Sequence, residues 1–293
     1  MSGERIIRVF PRRTEMTPTD DYAFVGDPPM MRPKADEVHV SCSFTWDVPR
    51  AKTLALAWGQ YYPVKLGGPA FNTPADGFTC GCYLKTGVVI THRGCPNRCP
   101  WCLVKREGDF RLLPIQDGYI NQDNNFAACP REHRMAYYRM AERQSRAQEF
   151  RGGIEAARVT SELADEFRAI RIHFVFLACD TEGGRDSLAV AIDRLSFLGR
   201  NKLYCYALIG FKGTSFWDML RDARRLEYVW NTGAVPFAQL YQPANKRIIY
   251  PQSWRELARN WSRPAIIKAR ASQRGTVGTG GRNQATLLMG ATE

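Results

Sequence analysis

From residue 87 to about residue 265, short apolar runs alternate with amphipathic stretches, and this alternation constrains the fold more than any other feature of the chain. The runs fall at 88–91, 119–123, 148–152, 172–178, 203–210 and 235–241. Six strand candidates separated by helix candidates are the pattern of parallel βα units. The helix after Gly210 is the clearest: Thr214 or Ser215 can cap it, Phe216, Leu220, Ala223, Leu226 and Trp230 share one face, and Gly233 ends it. The segment 186–198 repeats the pattern with Leu188, Ile192 and Leu195 ahead of Gly199, and a last helix candidate covers 253–261.

Residues 1–85 read as a separate, small Rossmann-like α/β unit. Its strand candidates are 6–10, 37–41 and 63–66, and a helix from about Pro49 to Gln60 carries Leu54, Leu56, Ala57 and Trp58. That is a βαβ half of a doubly wound sheet; the stretch 11–35, rich in Pro, Asp and Thr, is expected to be loop. Residues 86–265 form the second unit, and 266–293 are expected to be a disordered basic tail.

No run approaches the ~20 apolar residues of a membrane span, and the start lacks a charged-then-apolar signal, so a cytoplasmic location is expected. The 293 residues carry a net charge of +12, and +7 of it falls between Lys246 and Glu293. An acidic partner such as nucleic acid is therefore one candidate, although arginine-rich ends are often only solvated surface.

Nine cysteines is an odd count, and Cys95, Cys99 and Cys102 crowd into one segment, Thr91-His92-Arg93-Gly94-Cys95-Pro96-Asn97-Arg98-Cys99-Pro100-Trp101-Cys102. That suits metal-bound thiolates in a reducing compartment better than a disulfide framework. Three thiolates on a [4Fe-4S] cluster leave one iron open, whereas four would close it. The competing reading is zinc, which usually needs four ligands at paired Cys-x2-Cys spacing; His92 or Cys82 would have to complete the set.

The Cys-x3-Cys-x2-Cys spacing, with Trp101 in the aromatic position before Cys102, resembles the signature of the radical S-adenosylmethionine (radical SAM) superfamily. The resemblance covers about residues 87–265 and implies a partial (β/α)6 barrel with the cysteine loop after its first strand. It implies a [4Fe-4S] cluster whose open iron chelates S-adenosylmethionine, reductive cleavage of the C5′–S bond, and hydrogen abstraction from a substrate by a 5′-deoxyadenosyl radical. It also implies a reducing partner such as flavodoxin or ferredoxin.

Further site residues follow from the polar positions just after each strand, where (β/α) barrels place reacting groups. By resemblance, one of Asp123, Asn124 and Asn125 meets the cofactor's amino group, with an Asx-turn as the alternative for each. Arg158 stands where family members pair an arginine with the cofactor carboxylate, and could equally be a solvated arginine before a helix. Asp180 matches the position that bonds the ribose hydroxyls, or else caps its own loop. Ile209 and Gly210, in Leu208-Ile209-Gly210-Phe211, resemble the segment that flanks adenine. No catalytic residue is nominated.

Cys42, Cys129, Cys179 and Cys205 lie in or beside apolar runs and read as core, and Cys80 and Cys82 as ordinary thiols rather than ligands of an auxiliary cluster. Val38 to Asp47, the helix after it, and Val64-Lys65-Leu66-Gly67-Gly68-Pro69 resemble the end of the cobalamin-binding domain that precedes many radical SAM barrels. The unit is short and has no histidine before His39, which suggests a degenerate domain without cobalamin. Trp254, Leu257 and Trp261 share helical spacing that suits packing inward more than stacking on bases. The rival function is a non-enzymatic zinc- or Fe-S-binding protein that binds nucleic acid.

Overall fold

The computed structural model describes residues 4–71, 73, 78–104, 108–244, 246–263, 265–267 and 269. Most of the expected disordered tail lies outside these residues, although Ile267 is described and buried. No described helix is long and apolar enough to cross a membrane.

The amino-terminal strands β1 (Ile6–Phe10), β2 (Ala23–Val25), β3 (Glu37–Ser41) and β4 (Val64–Gly67) form a sheet in the order β2-β1-β3-β4, with every neighbouring pair parallel. Helix α1 (Val48–Trp58) covers one face, burying Ala51, Leu54 and Trp58 against Ile7, Val9, Val38 and Val40. Strand β2 corrects the reading of 11–35 as loop. Three residues are too few to show a period, and the strand exists because Phe24 packs on Trp58, ring centroids 5.3 Å apart, while β2 pairs with β1.

The second sheet takes strands β5 (Val88–Val89), β8 (Ile120–Asn121), β9 (Gln148–Glu155), β10 (Ile172–Ala178), β11 (Leu203–Ile209) and β12 (Val235–Leu240) in chain order, all parallel. The two strands omitted from this series, β6 (His92–Arg93) and β7 (Arg111–Leu112), pair antiparallel across the base of the cysteine segment. Between strands run α2 (Arg131–Arg143), α3 (Ser161–Arg168), α4 (Arg185–Arg194) and α5 (Phe216–Thr232), and α6 (Gln252–Asn260) follows β12. Alternation along β11 shows why one face is apolar: Leu203, Cys205, Ala207 and Ile209 are fully buried, while Tyr204, Tyr206 and Leu208 turn to the other side and are half-buried. Ser215 caps α5 in a reciprocal capping box with Asp218, and Gly233 ends it at φ +120°.

Where β9 passes the end of β8 the two backbones nearly touch. A Cβ at Gly152 would fall on the Asp123 carbonyl oxygen, so glycine alone fits. Gly152→Ala is expected to lower stability by about 3 kcal/mol or more, because the clash is with backbone rather than a movable side chain. Urea denaturation would check it; a loss under about 1 kcal/mol would show that β9 can shift aside.

Candidate functional site

The parallel arrangement brings the carboxyl ends of β5, β8, β9, β10 and β11 to one edge, and the cysteine segment starts there. Gly94 turns the chain out of β6 at φ +75°, with its Cα packed against the Asp109 backbone so closely that a side chain would collide with it. Cys95, Cys99 and Cys102 follow as half-exposed thiols outside any disulfide, and the Cys102 N–H donates to the Cys99 carbonyl at 3.1 Å, which closes a turn over Cys99–Cys102.

Around this turn stand residues from five strand ends. The Trp101 indole N–H donates to one oxygen of Asp180 at 3.1 Å, and the Leu208 backbone N–H donates to the other at 3.0 Å. The Asn125 side-chain N–H group donates to Glu155 at 2.9 Å and lies 3.9 Å from the Cys95 sulfur, while its carbonyl oxygen accepts from the Glu155 backbone N–H. Arg158 Nε donates to Glu155 at 2.6 Å. The Trp101 ring meets Phe211 edge-on at 5.3 Å, and Phe211 meets Tyr241 at 4.9 Å. Of the residues nominated from sequence, Trp101, Asn125, Arg158 and Asp180 thus share one neighbourhood with the three cysteines.

Electrostatics tie the cluster together. Burial pushes the Cys99 thiol up, and the charges of Cys102, Cys95, Asp180 and Glu155 push it further. Burial also raises the Asp180 carboxyl, against the opposing N–H donors of Leu208 and Trp101 and the charge of Arg225. For Glu155 burial loses: donors on Asn97 and Asn125 and the Arg158 guanidinium hold its carboxyl below the usual carboxylate range.

No protein-family model matches the chain, and no curated protein matches it. The site therefore rests on its own geometry.

The other nominated residues are placed differently. Asp123 is 1 % exposed, and its oxygens accept from the Thr91 N–H and hydroxyl, both at 2.6 Å, from the His92 N–H and from Asn121. It fastens the strand that leads into the cysteine turn. Asn124 buries its side-chain oxygen without a protein partner. Ile209 points into the helix layer with Ala207, Ala223 and Leu226, so the apolar group facing Trp101 is Phe211. Gly210 keeps a backbone role: its N–H donates to Asp222 at 2.7 Å, and it lies at φ +79° against the Tyr250 ring.

Glu155 and Phe211 join the site from positions that close or follow a strand, the signal by which their neighbours stand out in the sequence. Cys42, Cys129, Cys179 and Cys205 are buried as expected, and burial pushes the Cys179 thiol up to about 11, so it stays protonated near neutrality. Trp254 and Leu257 are buried and Trp261 packs beside them, in keeping with the packing reading.

His92 is fully buried and its Nε2 accepts from the Asn125 backbone N–H at 3.2 Å, while Cys82 lies beside Arg8. His92 Nδ1 is buried without a hydrogen-bond partner among the described residues. Among the described residues no three His, Cys, Asp or Glu side chains gather as a group that could hold a metal ion. The donor set itself suits iron-sulfur chemistry: three soft thiols on one short segment, already within one another's electrostatic reach.

Proposed function

We propose that this chain is a radical SAM enzyme and that its six-stranded parallel sheet is a partial (β/α)6 barrel. The observation that carries the reading is the placement of Cys95, Cys99 and Cys102 on one short segment at the carboxyl edge of the sheet, with Trp101 bonded to Asp180. A [4Fe-4S] cluster held by the three thiolates, with S-adenosylmethionine on its open iron, would supply reductive cleavage of the cofactor and hydrogen abstraction from a substrate.

The protein's own residues would bind, orient and shield. Asp180 is held from two sides by Trp101 and Leu208, and each oxygen keeps a lone pair for a ribose hydroxyl. Asn125 orients Glu155 beside Cys95, so an ammonium group there would meet a carboxylate kept ionised by its neighbours. Arg158, anchored through Nε, can turn its terminal N–H groups to a carboxylate. Phe211 and Tyr241 extend the Trp101 ring into an apolar wall that keeps water from the reacting atoms. A one-electron donor such as flavodoxin or ferredoxin would serve as partner.

The test is anaerobic reconstitution with iron and sulfide, followed by S-adenosylmethionine and dithionite, with 5′-deoxyadenosine followed by chromatography. Production is the expected result. A colourless protein with stoichiometric zinc, or an intact cluster that never yields 5′-deoxyadenosine, would favour a metal-binding protein without this activity. Asp180→Ala is expected to keep the brown cluster and weaken S-adenosylmethionine binding about tenfold, the size of one or two lost hydrogen bonds. Calorimetric titration of the reconstituted variant reads this directly; unchanged affinity would remove Asp180 from the site.

A further inference from the structure

The rim beside the Trp101–Phe211–Tyr241 ring chain carries charge and rings that the cofactor reading does not use. A groove of about 480 Å³ opens immediately beyond Tyr241, lined by Leu240, Gln242, Arg247, Ile248, Tyr250 and Arg255, with Ile249 at its edge. Arg247 and Arg255 are exposed, as are the neighbouring Lys212, Lys246 and Arg259, and none of the five forms an ion pair among the described residues.

Rings accompany the charge. Phe216 and Trp217 open α5 at 56 % and 74 % exposure, in contact with each other at 5.5 Å and covered by nothing described. They belong to the groove's surroundings, because the loop from Gly210 to Ser215 packs on its wall. The Tyr250 ring lies against Gly210, and the Trp254 indole N–H donates to the Thr214 carbonyl at 3.0 Å. Free cations that attract phosphates, beside exposed rings that accept a stacked base, form the chemistry of single-stranded nucleic-acid binding.

We propose that this groove and the Phe216–Trp217 corner bind single-stranded nucleic acid, with phosphates on Arg247 and Arg255 and a base on Trp217. A strand held there lies beside Tyr241 and Phe211, two ring contacts from Trp101, which places a nucleotide next to the cofactor site. As a substrate assignment it rests on the radical SAM reading; as a binding site it does not.

The test is fluorescence anisotropy with fluorescein-labelled 20-nucleotide oligo-U and oligo-dT, on the full chain without reductant, across a salt series. Binding is expected with affinity falling steeply as salt rises. Arg247→Glu with Arg255→Glu should weaken it at least about tenfold and lower the logarithmic salt slope by about 2, and Trp217→Ala should weaken it about tenfold with the slope unchanged. All three residues are exposed, so unaltered thermal melts are expected and should be recorded.

Four results would overturn the site: no oligonucleotide binding; binding that ignores the groove variants; binding that instead falls only with Arg274→Glu plus Arg282→Glu; or binding only to equimolar phosphatidylserine–phosphatidylcholine vesicles. Because 5′-deoxyadenosine production is measured separately, oligonucleotide binding without cofactor cleavage would sustain this site and sink the radical reading. Cleavage without oligonucleotide binding would do the reverse.

Discussion

Cys99→Ala is expected to reduce reconstituted iron from about four atoms per chain to below one and to take 5′-deoxyadenosine production below detection. Cys99 is the middle ligand of the proposed set, and its loss leaves Cys95 and Cys102 to hold a cube by two corners. The fold should be indifferent. The thiol is half-exposed and unbridged, and without metal its neighbours' negative charge favours the neutral form, so removing it costs about 0.5 kcal/mol or less. Iron and sulfide analysis together with a thermal melt separates the two effects. A variant with full iron content and cofactor cleavage would show that the cysteine turn is not the metal site. A variant that fails to fold would show that Cys99 is structural, and Cys99→Ser, close in shape but a harder ligand, would then decide the metal question.

Asp123→Ala should have the largest effect on stability. Its buried carboxylate collects four hydrogen bonds, from Thr91 twice, from His92 and from Asn121. Alanine would leave these donors in a site sealed from solvent, and an orphaned buried group costs about 1–3 kcal/mol. Allowing for relaxation and an entering water, the expected loss is about 3–5 kcal/mol, or about 10 °C in melting temperature. The damage should reach the site, because the same contacts set the start of the cysteine turn and Asn125 lies two residues on. Cluster reconstitution in Asp123→Ala is therefore expected to be slow and incomplete even below its melting temperature. Asp123→Asn, which keeps the shape and one accepting oxygen, should lose about half as much. A melt of Asp123→Ala within 2–3 °C of the parent, on the order of 1 kcal/mol, would mean that the network is not cooperative.

Legibility differed between element types for physical reasons. The six apolar runs and the helices between them were readable because burial on a sheet flanked by helices imposes a period that local composition records. The boundary errors are small: helix α1 is Val48–Trp58 where about Pro49 to Gln60 was expected, and the segment 186–198 divides into α4 and a short 3-10 turn. Strand β2 left no such record, since three residues held by a neighbour's edge and one ring contact need no pattern of their own.

The same division runs through the candidate site. The sequence by itself determined that three cysteines share one short segment, that an aromatic residue stands between the second and third, and that polar residues follow the strand candidates. In parallel βα units those positions converge on one edge whatever the remaining sequence, so Asn125, Arg158, Asp180 and Trp101 could be nominated together. Only the tertiary structure decided which way each side chain turns. Asp123 and Asn125 are two residues apart after the same strand, yet one is sealed into the fold by the donors of Thr91 and His92 while the other reaches Glu155 and Cys95. Ile209 and Phe211 are likewise two apart, and the positive φ of Gly210 between them sends one into the helix layer and the other against Trp101. Spacing places a residue at an edge; the hydrogen-bond donors and backbone turns contributed by distant segments choose which of its faces is satisfied inside the protein and which is left to meet a ligand.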